Sequence, residues 1–262
     1  MLAFSRAGSG PPLVLLHGTN SSRAIWNPLL ARLAVERDVI AFDLPGHGAS
    51  PATSLTPPGF AAELAVSLDQ LSLRAPAVVG HSVGGWTALE LAKLGRAGSV
   101  LALAPAGLWR KHSPWLTDLG LRVNWRLGQL LDPSVTERVL RTRHGRQLAL
   151  RSISARPGNV PCDVAIATAR AARSSQHFPE HFRRTRVLRF AGGRELPADL
   201  PIHVVWGAND HVALPNKSRF ADELPARARI ETWLDCGHMI MWDRPDDTLD
   251  AAVALPSGTP HT

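Results

Sequence analysis

A side chain that attacks a carbonyl needs a base to take its proton, a carboxylate to hold the base, and donors for the oxyanion. The segment Gly80-His81-Ser82-Val83-Gly84-Gly85 offers the attacking group. It is a Gly-x-Ser-x-Gly run placed directly after the apolar stretch Ala77-Val78-Val79 and directly before a helical pattern. Small residues flanking a serine let the chain turn sharply from strand to helix and push the hydroxyl out of the sheet. The base is expected at His238, which follows Cys236-Gly237 in a loop after the last apolar run. The carboxylate is expected at Asp210, delivered by Gly207-Ala208-Asn209 after the run Ile202 to Trp206. Asp235 and Asp243 compete for that role, but both lie too close to His238 along the chain to reach its far ring nitrogen from a separate loop. The oxyanion donors are expected to be the backbone N–H groups of Thr19, in His17-Gly18-Thr19-Asn20, and of Val83. Asn20 is a further candidate for contact with substrate, and His17 is expected to fix this loop by hydrogen bonding. The chemistry implied is acyl transfer to water.

Positioning these groups requires strands that end where they stand. Short apolar runs over 13–17, 39–43, 77–80, 99–103, 202–206 and 229–234 each lead into a loop, as buried strands do. Amphipathic helical patterns over 25–34, 58–71, 84–94 and 245–255 separate them. Strands alternating with helices give a mostly parallel sheet covered on both faces, an α/β class, with functional residues at the carboxyl ends of the strands.

The rhythm breaks at 106–196, where helical stretches over 115–131, 134–150 and 162–175 appear without a buried strand. This reads as a helical cap inserted into a core of 1–105 and 197–255, with 256–262 as a loose tail. Charge separates the same way. Of 262 residues and a net charge of +7, residues 106–194 hold 16 Arg and one Lys against five acids, a balance of +12. Such a surface is either simply solvated or attracts anionic substrates or surfaces. Within it, Trp109, Trp115 and Trp125 are candidates for lining an apolar pocket, and Arg110, Arg122, Arg183 and Arg186 for meeting a carboxylate.

Other chemistries are set aside on composition. The two cysteines, Cys162 and Cys236, cannot alone build a zinc site, and His17, His47 and His81 sit in different turns, so no metal is expected. Trp86, Trp206 and Trp233 read as core. No run of about 18 uncharged apolar residues occurs, so no membrane span is expected. The partner implied is a small-molecule substrate rather than nucleic acid, in a soluble, cytoplasmic protein of unknown oligomeric state.

Four segments together resemble the α/β-hydrolase superfamily: His17-Gly18-Thr19, Asp43-Leu44-Pro45-Gly46-His47-Gly48-Ala49-Ser50, Gly80 to Gly85, and Gly207-Ala208-Asn209-Asp210 with Cys236-Gly237-His238. The resemblance implies an eight-stranded sheet, a cofactor-free triad of Ser82, Asp210 and His238, and a variable cap after the sixth strand. Serine at the elbow points away from the haloalkane dehalogenases and epoxide hydrolases of that superfamily, which use aspartate there. Carboxylic-ester hydrolysis is the first expectation. Carbon–carbon bond hydrolysis of a diketone acid is the second, and a non-catalytic ligand-binding or receptor protein on the same fold is the rival of another class.

Overall fold

The computed structural model describes residues 1–256. Strands β1 (Phe4–Ala7), β2 (Pro12–Leu16), β3 (Asp38–Phe42), β4 (Ala77–His81), β5 (Ser99–Leu103), β6 (Ile202–Gly207) and β7 (Arg229–Trp233) form one sheet in the order β1-β3-β2-β4-β5-β6-β7. Only β1 runs antiparallel, pairing Phe4 with Phe42. The sheet therefore has seven strands among the described residues rather than the eight expected, because a single four-residue strand closes the β3 edge.

Strand β2 shows why the apolar runs become central strands. Leu13, Val14, Leu15 and Leu16 are all fully buried, since a parallel sheet clothed by helices has no solvent face. The helices that clothe it are α1 (Asn27–Leu33), α2 (Pro57–Gln70) and α3 (Val83–Lys93). Pro57 in the first turn of α2 suits a position whose N–H would be unpaired in any case. The first helix is shorter than its sequence pattern, because Arg23–Trp26 is wound as a 3-10 turn ahead of it.

Between β5 and β6 run five helices: α4 (Trp115–Leu130), α5 (Pro133–Arg141), α6 (Arg143–Ala149), α7 (Cys162–Ser174) and α8 (Phe178–Thr185). The single stretch expected over 134–150 is two helices. Thr142 leaves the helical conformation at ψ 145° and its hydroxyl accepts from Gly145 N, capping α6. Helix α8 carries no clear sequence signal. Past β6 come the short turns α9 (Pro215–Ser218) and α10 (Ile240–Asp243), then α11 (Pro245–Val253). The tail expected over 256–262 lies, beyond Pro256, outside the described residues.

Candidate active site

Ser82 sits between β4 and α3 at φ 53° and ψ −116°, a left-handed region costly for a residue with a Cβ. Hydrogen bonds from Ser82 N to Leu103 O (2.9 Å) and from Ala106 N and Trp86 N to Ser82 O hold the turn. Glycine is required on both sides. A Cβ on Gly80 would stand 2.2 Å from Gly84 O, and one on Gly84 would stand 2.5 Å from the carbonyls of Leu16 and His17. The turn also leaves Val83 N in the first turn of α3, where a helix supplies N–H groups without intrahelical partners.

His238 lies after β7 and Asp210 after β6, and the two meet. His238 Nδ1 is 2.9 Å from Asp210 Oδ2, while Asp210 Oδ1 accepts from Val212 N (2.7 Å) and Ala213 N (2.8 Å). Burial alone would raise the Asp210 carboxyl. The charge and hydrogen bond of His238 and those two N–H groups outweigh it and bring the value down to about 2. Asp210 is thus ionised at neutral pH and holds the proton of His238 on Nδ1, leaving Nε2 free to accept one. The other two aspartates do different work. Asp235 is exposed and 3.7 Å from Arg156, and buried Asp243 accepts from Ser154 Oγ (2.6 Å), Ala155 N (2.8 Å), Arg156 N (3.0 Å) and Gly237 N (2.8 Å).

The loop after β2 brings Gly18, Thr19 and Asn20 to the same place. His17 Nε2 accepts from Leu44 N (3.0 Å) and its Nδ1 donates to Gly18 O (2.7 Å), so one imidazole ties the loops after β2 and β3 together. Burial, with the neighbouring His47, pushes this ring well below the usual histidine range, which keeps it neutral as those two bonds require. Asn20 is buried at φ 56° with its Oδ1 unpartnered.

A cavity of about 470 Å³ joins these residues to the inserted helices. Ser82, His238, Thr19, Asn20 and Val83 line it. Leu121, Leu140, Ile153, Ala165 and Ala169 of the inserted segment line it too. Trp109 also lines it, edge-on to Trp86, with its indole donating to Leu188 O (2.7 Å). Trp115 does not. It is 64% exposed because its helix position faces solvent, which corrects the expectation that it contacts substrate. Trp125 instead donates to Ser175 O and packs on Phe178. Of the four arginines singled out, only Arg186 reaches the cavity, and its Nε is bonded to buried Asp118 (2.7 Å).

Four supporting residues escaped the sequence reading. Arg219 donates to Gly207 O and Ala213 O across the Asp210 loop, and His81 Nε2 donates to His238 O (3.1 Å). His181 of α8 accepts at Nε2 from Thr19 Oγ1 (3.2 Å) and donates at Nδ1 to Leu55 O (3.0 Å). Asp243 was weighed only as a rival acid. His81 is signalled by its place in the Gly-x-Ser-x-Gly run; Arg219 and Asp243 act chiefly through backbone partners that no motif records, and His181 bonds Thr19 Oγ1 and Leu55 O from a helix with no clear sequence signal. Cys162 and Cys236 are free thiols, and burial pushes the latter up to about 12, so it is an inert packed side chain.

A family model for the alpha/beta hydrolase family matches residues 13–251. The chain belongs to that family. Its relatives include the epoxide hydrolase EphH of Mycobacterium tuberculosis, 34% identical over 191 residues, covering 68% of this chain and 84% of that protein. A shorter match, 34% identical over 92 residues, is to the sn-1-specific diacylglycerol lipase ABHD11 of Xenopus tropicalis, covering 34% of this chain and 29% of that one. Among solved structures, a meta-cleavage product hydrolase from Pseudomonas fluorescens superimposes with a TM-score of 0.72 at 20% identity, covering 95% of this chain and 92% of its own. At such identity the likeness is one of fold.

Proposed function

We propose that this α/β hydrolase cleaves a carboxylic ester of a small or medium apolar substrate through an acyl-enzyme at Ser82. The 2.9 Å bond between His238 and Asp210, at the cavity that Ser82 also lines, carries the reading. Ser82 Oγ attacks the acyl carbonyl as His238 Nε2 takes its proton. The N–H groups of Thr19 and Val83 hold the oxyanion, and His238 then protonates the departing alcohol. Water activated by the same nitrogen releases the acid. In this reading 1–105 and 197–255 are the catalytic core, and 106–196 is a cap whose aliphatic wall accepts the acyl group.

Two other chemistries within the family have less support. Epoxide opening in this superfamily uses an aspartate where Ser82 stands. Carbon–carbon hydrolysis of a diketone acid calls for a cation in the pocket. Each cavity-lining guanidinium is already engaged: Arg170 with Glu137, Arg173 with the carbonyls of Gly128, Gln129 and Leu131, and Arg186 with Asp118.

A fluorophosphonate probe and p-nitrophenyl esters from acetate to decanoate test the proposal against the Ser82→Ala variant. We expect labelling and burst acylation in the wild type and the loss of both in the variant, with turnover falling roughly 10⁴-fold or more. Folded wild-type protein that takes up no probe would instead favour the ligand-binding rival.

A further inference from the structure

Exposed large hydrophobic side chains are scattered singly over most soluble proteins, and a contiguous patch marks an interface. Here twelve of the eighteen found among the described residues fall in the inserted segment 106–196, nine of them on its helices. Helix α4 concentrates them. Its inward positions are spoken for: Asp118 is buried against Arg186, Leu121 lines the cavity, Arg122 stacks on Phe182, and Trp125 packs on Phe178. Its outward positions are Trp115, Leu116, Leu119, Val123, Leu127 and Leu130, with exposures of 64, 45, 52, 47, 48 and 81%. A helix normally turns such a stripe toward the core, so α4 is inverted. The patch continues onto the cavity mouth. Leu127, Leu131, Val135 and Val139 line the cavity and are also 43–50% exposed.

Charge selects what covers this face. Arg126, Arg138 and Arg141 stand exposed on α4 and α5. The acids of the same two helices and their junction are already used: Asp118 by Arg186, Asp132 in capping Ser134 N, and Glu137 by Arg170. Pairing two copies through the patch would bring together two inserts of balance +12. An anionic surface meets the same arginines with the opposite sign.

We propose that the outer face of α4 docks the protein on an anionic phospholipid surface, with the cavity mouth against the lipid. At 16 residues α4 is about 24 Å long, and no helix among the described residues is long and apolar enough to cross a membrane. The helix therefore lies in the interface: apolar side chains enter the acyl boundary and arginines reach the headgroups. This goes beyond the ester-hydrolase reading and does not depend on it.

The test is co-sedimentation of the full chain with vesicles of phosphatidylcholine alone, or of phosphatidylcholine and phosphatidylglycerol in equal amounts. The expected result is binding to the anionic vesicles, roughly tenfold weaker on the neutral ones and in high salt, and roughly tenfold weaker again for Leu119→Glu/Val123→Glu. Ser82→Ala should sediment as the wild type does, so docking is read independently of catalysis. If circular dichroism shows the glutamate pair unfolded, Leu119→Ser/Val123→Ser takes its place with the same direction of change. Failure to sediment with either vesicle overturns the proposal. So does equal binding to both, and so does a dimer in sedimentation velocity that the same variants dissociate.

Discussion

At the sheet edge the buried carboxylates each accept several hydrogen bonds, while the inserted segment reaches that edge at only a few points. Asp43 accepts from Arg23 N, the Arg23 guanidinium and Ala49 N, and Asp210 and Asp243 are held as fully. The insert is joined to the sheet edge by Thr117 to Val212 O, by His181 to Thr19 Oγ1 and Leu55 O, by Ile153 O to Met239 N, and by Ser154, Ala155 and Arg156 to Asp243. One region fixes a constellation of groups; the other offers a wall that can be reshaped without disturbing it. Under the proposed function, chemistry and substrate choice are separable, and variants should fall into two groups.

The largest effect should come from the sheet edge. Asp210→Asn leaves the fold intact but removes the charge that holds the His238 proton on Nδ1, so ester turnover should fall roughly 10⁴-fold. Asp235→Asn, at an exposed site, should change it by less than about twofold. Steady-state kinetics on the same ester decide between them; near-equal losses would break the assignment of the acid.

Next in size is the contact that joins the two regions. Asp243→Ala would strip acceptors from Ala155 N, Arg156 N and Gly237 N at once and leave donors buried without partners. A loss of about 3 kcal/mol is expected, a drop of roughly 6–12 °C in Tm by calorimetry, together with reduced turnover as the His238 loop loosens. A variant that loses stability but keeps its turnover would show that Ser154–Arg156 anchors the insert alone.

The buried imidazoles allow a comparison by pH. Burial brings both His81 of the sheet edge and His181 of the insert down to about 3, helped by His238 in the first case and His47 in the second. The unfolded chain takes up protons below about 6.5 that these rings refuse, so stability declines as pH falls from about 6.5 toward 3. At about pH 5 each ring should cost roughly 2 kcal/mol relative to pH 7. His181→Gln should recover one ring's share in a urea midpoint measured at both pH values. An unchanged slope would mean that the insert opens before its histidine titrates.

The same contrast governs what could be read without a structure. Ser82 and Asp210 are legible because each follows a strand whose apolar run is short and mostly buried, and a parallel sheet gathers such strand ends on one edge, whereas His238 follows the largely exposed β7 and is marked by the glycine before it in the last loop. The glycines at 80 and 84 are legible for a related reason: the elbow has no room for a side chain. Arg219 and Asp243 are not, since they bond to backbone, which any residue type presents. The insert hides more. Its helices were visible from their patterns, but the break at Thr142 rests on one hydroxyl cap and α8 packs chiefly through Phe178 and Phe182. The outward turn of Trp115 is hidden because amphipathicity shows that a helix has two faces, without saying which one turns outward.

That ambiguity supplies the last and smallest effect. Trp109 is buried beside the cavity and Trp115 is exposed on α4, so truncating them separates the wall from the surface of one insert. Trp109→Ala should enlarge the pocket and shift the preference among p-nitrophenyl esters toward longer acyl chains, raising KM for the acetate roughly fivefold with kcat within about twofold. Trp115→Ala should leave both constants for a soluble ester within about twofold, since nothing in the cavity touches it. Were kcat to fall with Trp109 while KM held, the wall would be acting on the reacting carbonyl itself, and the separation of chemistry from substrate choice would fail at that residue.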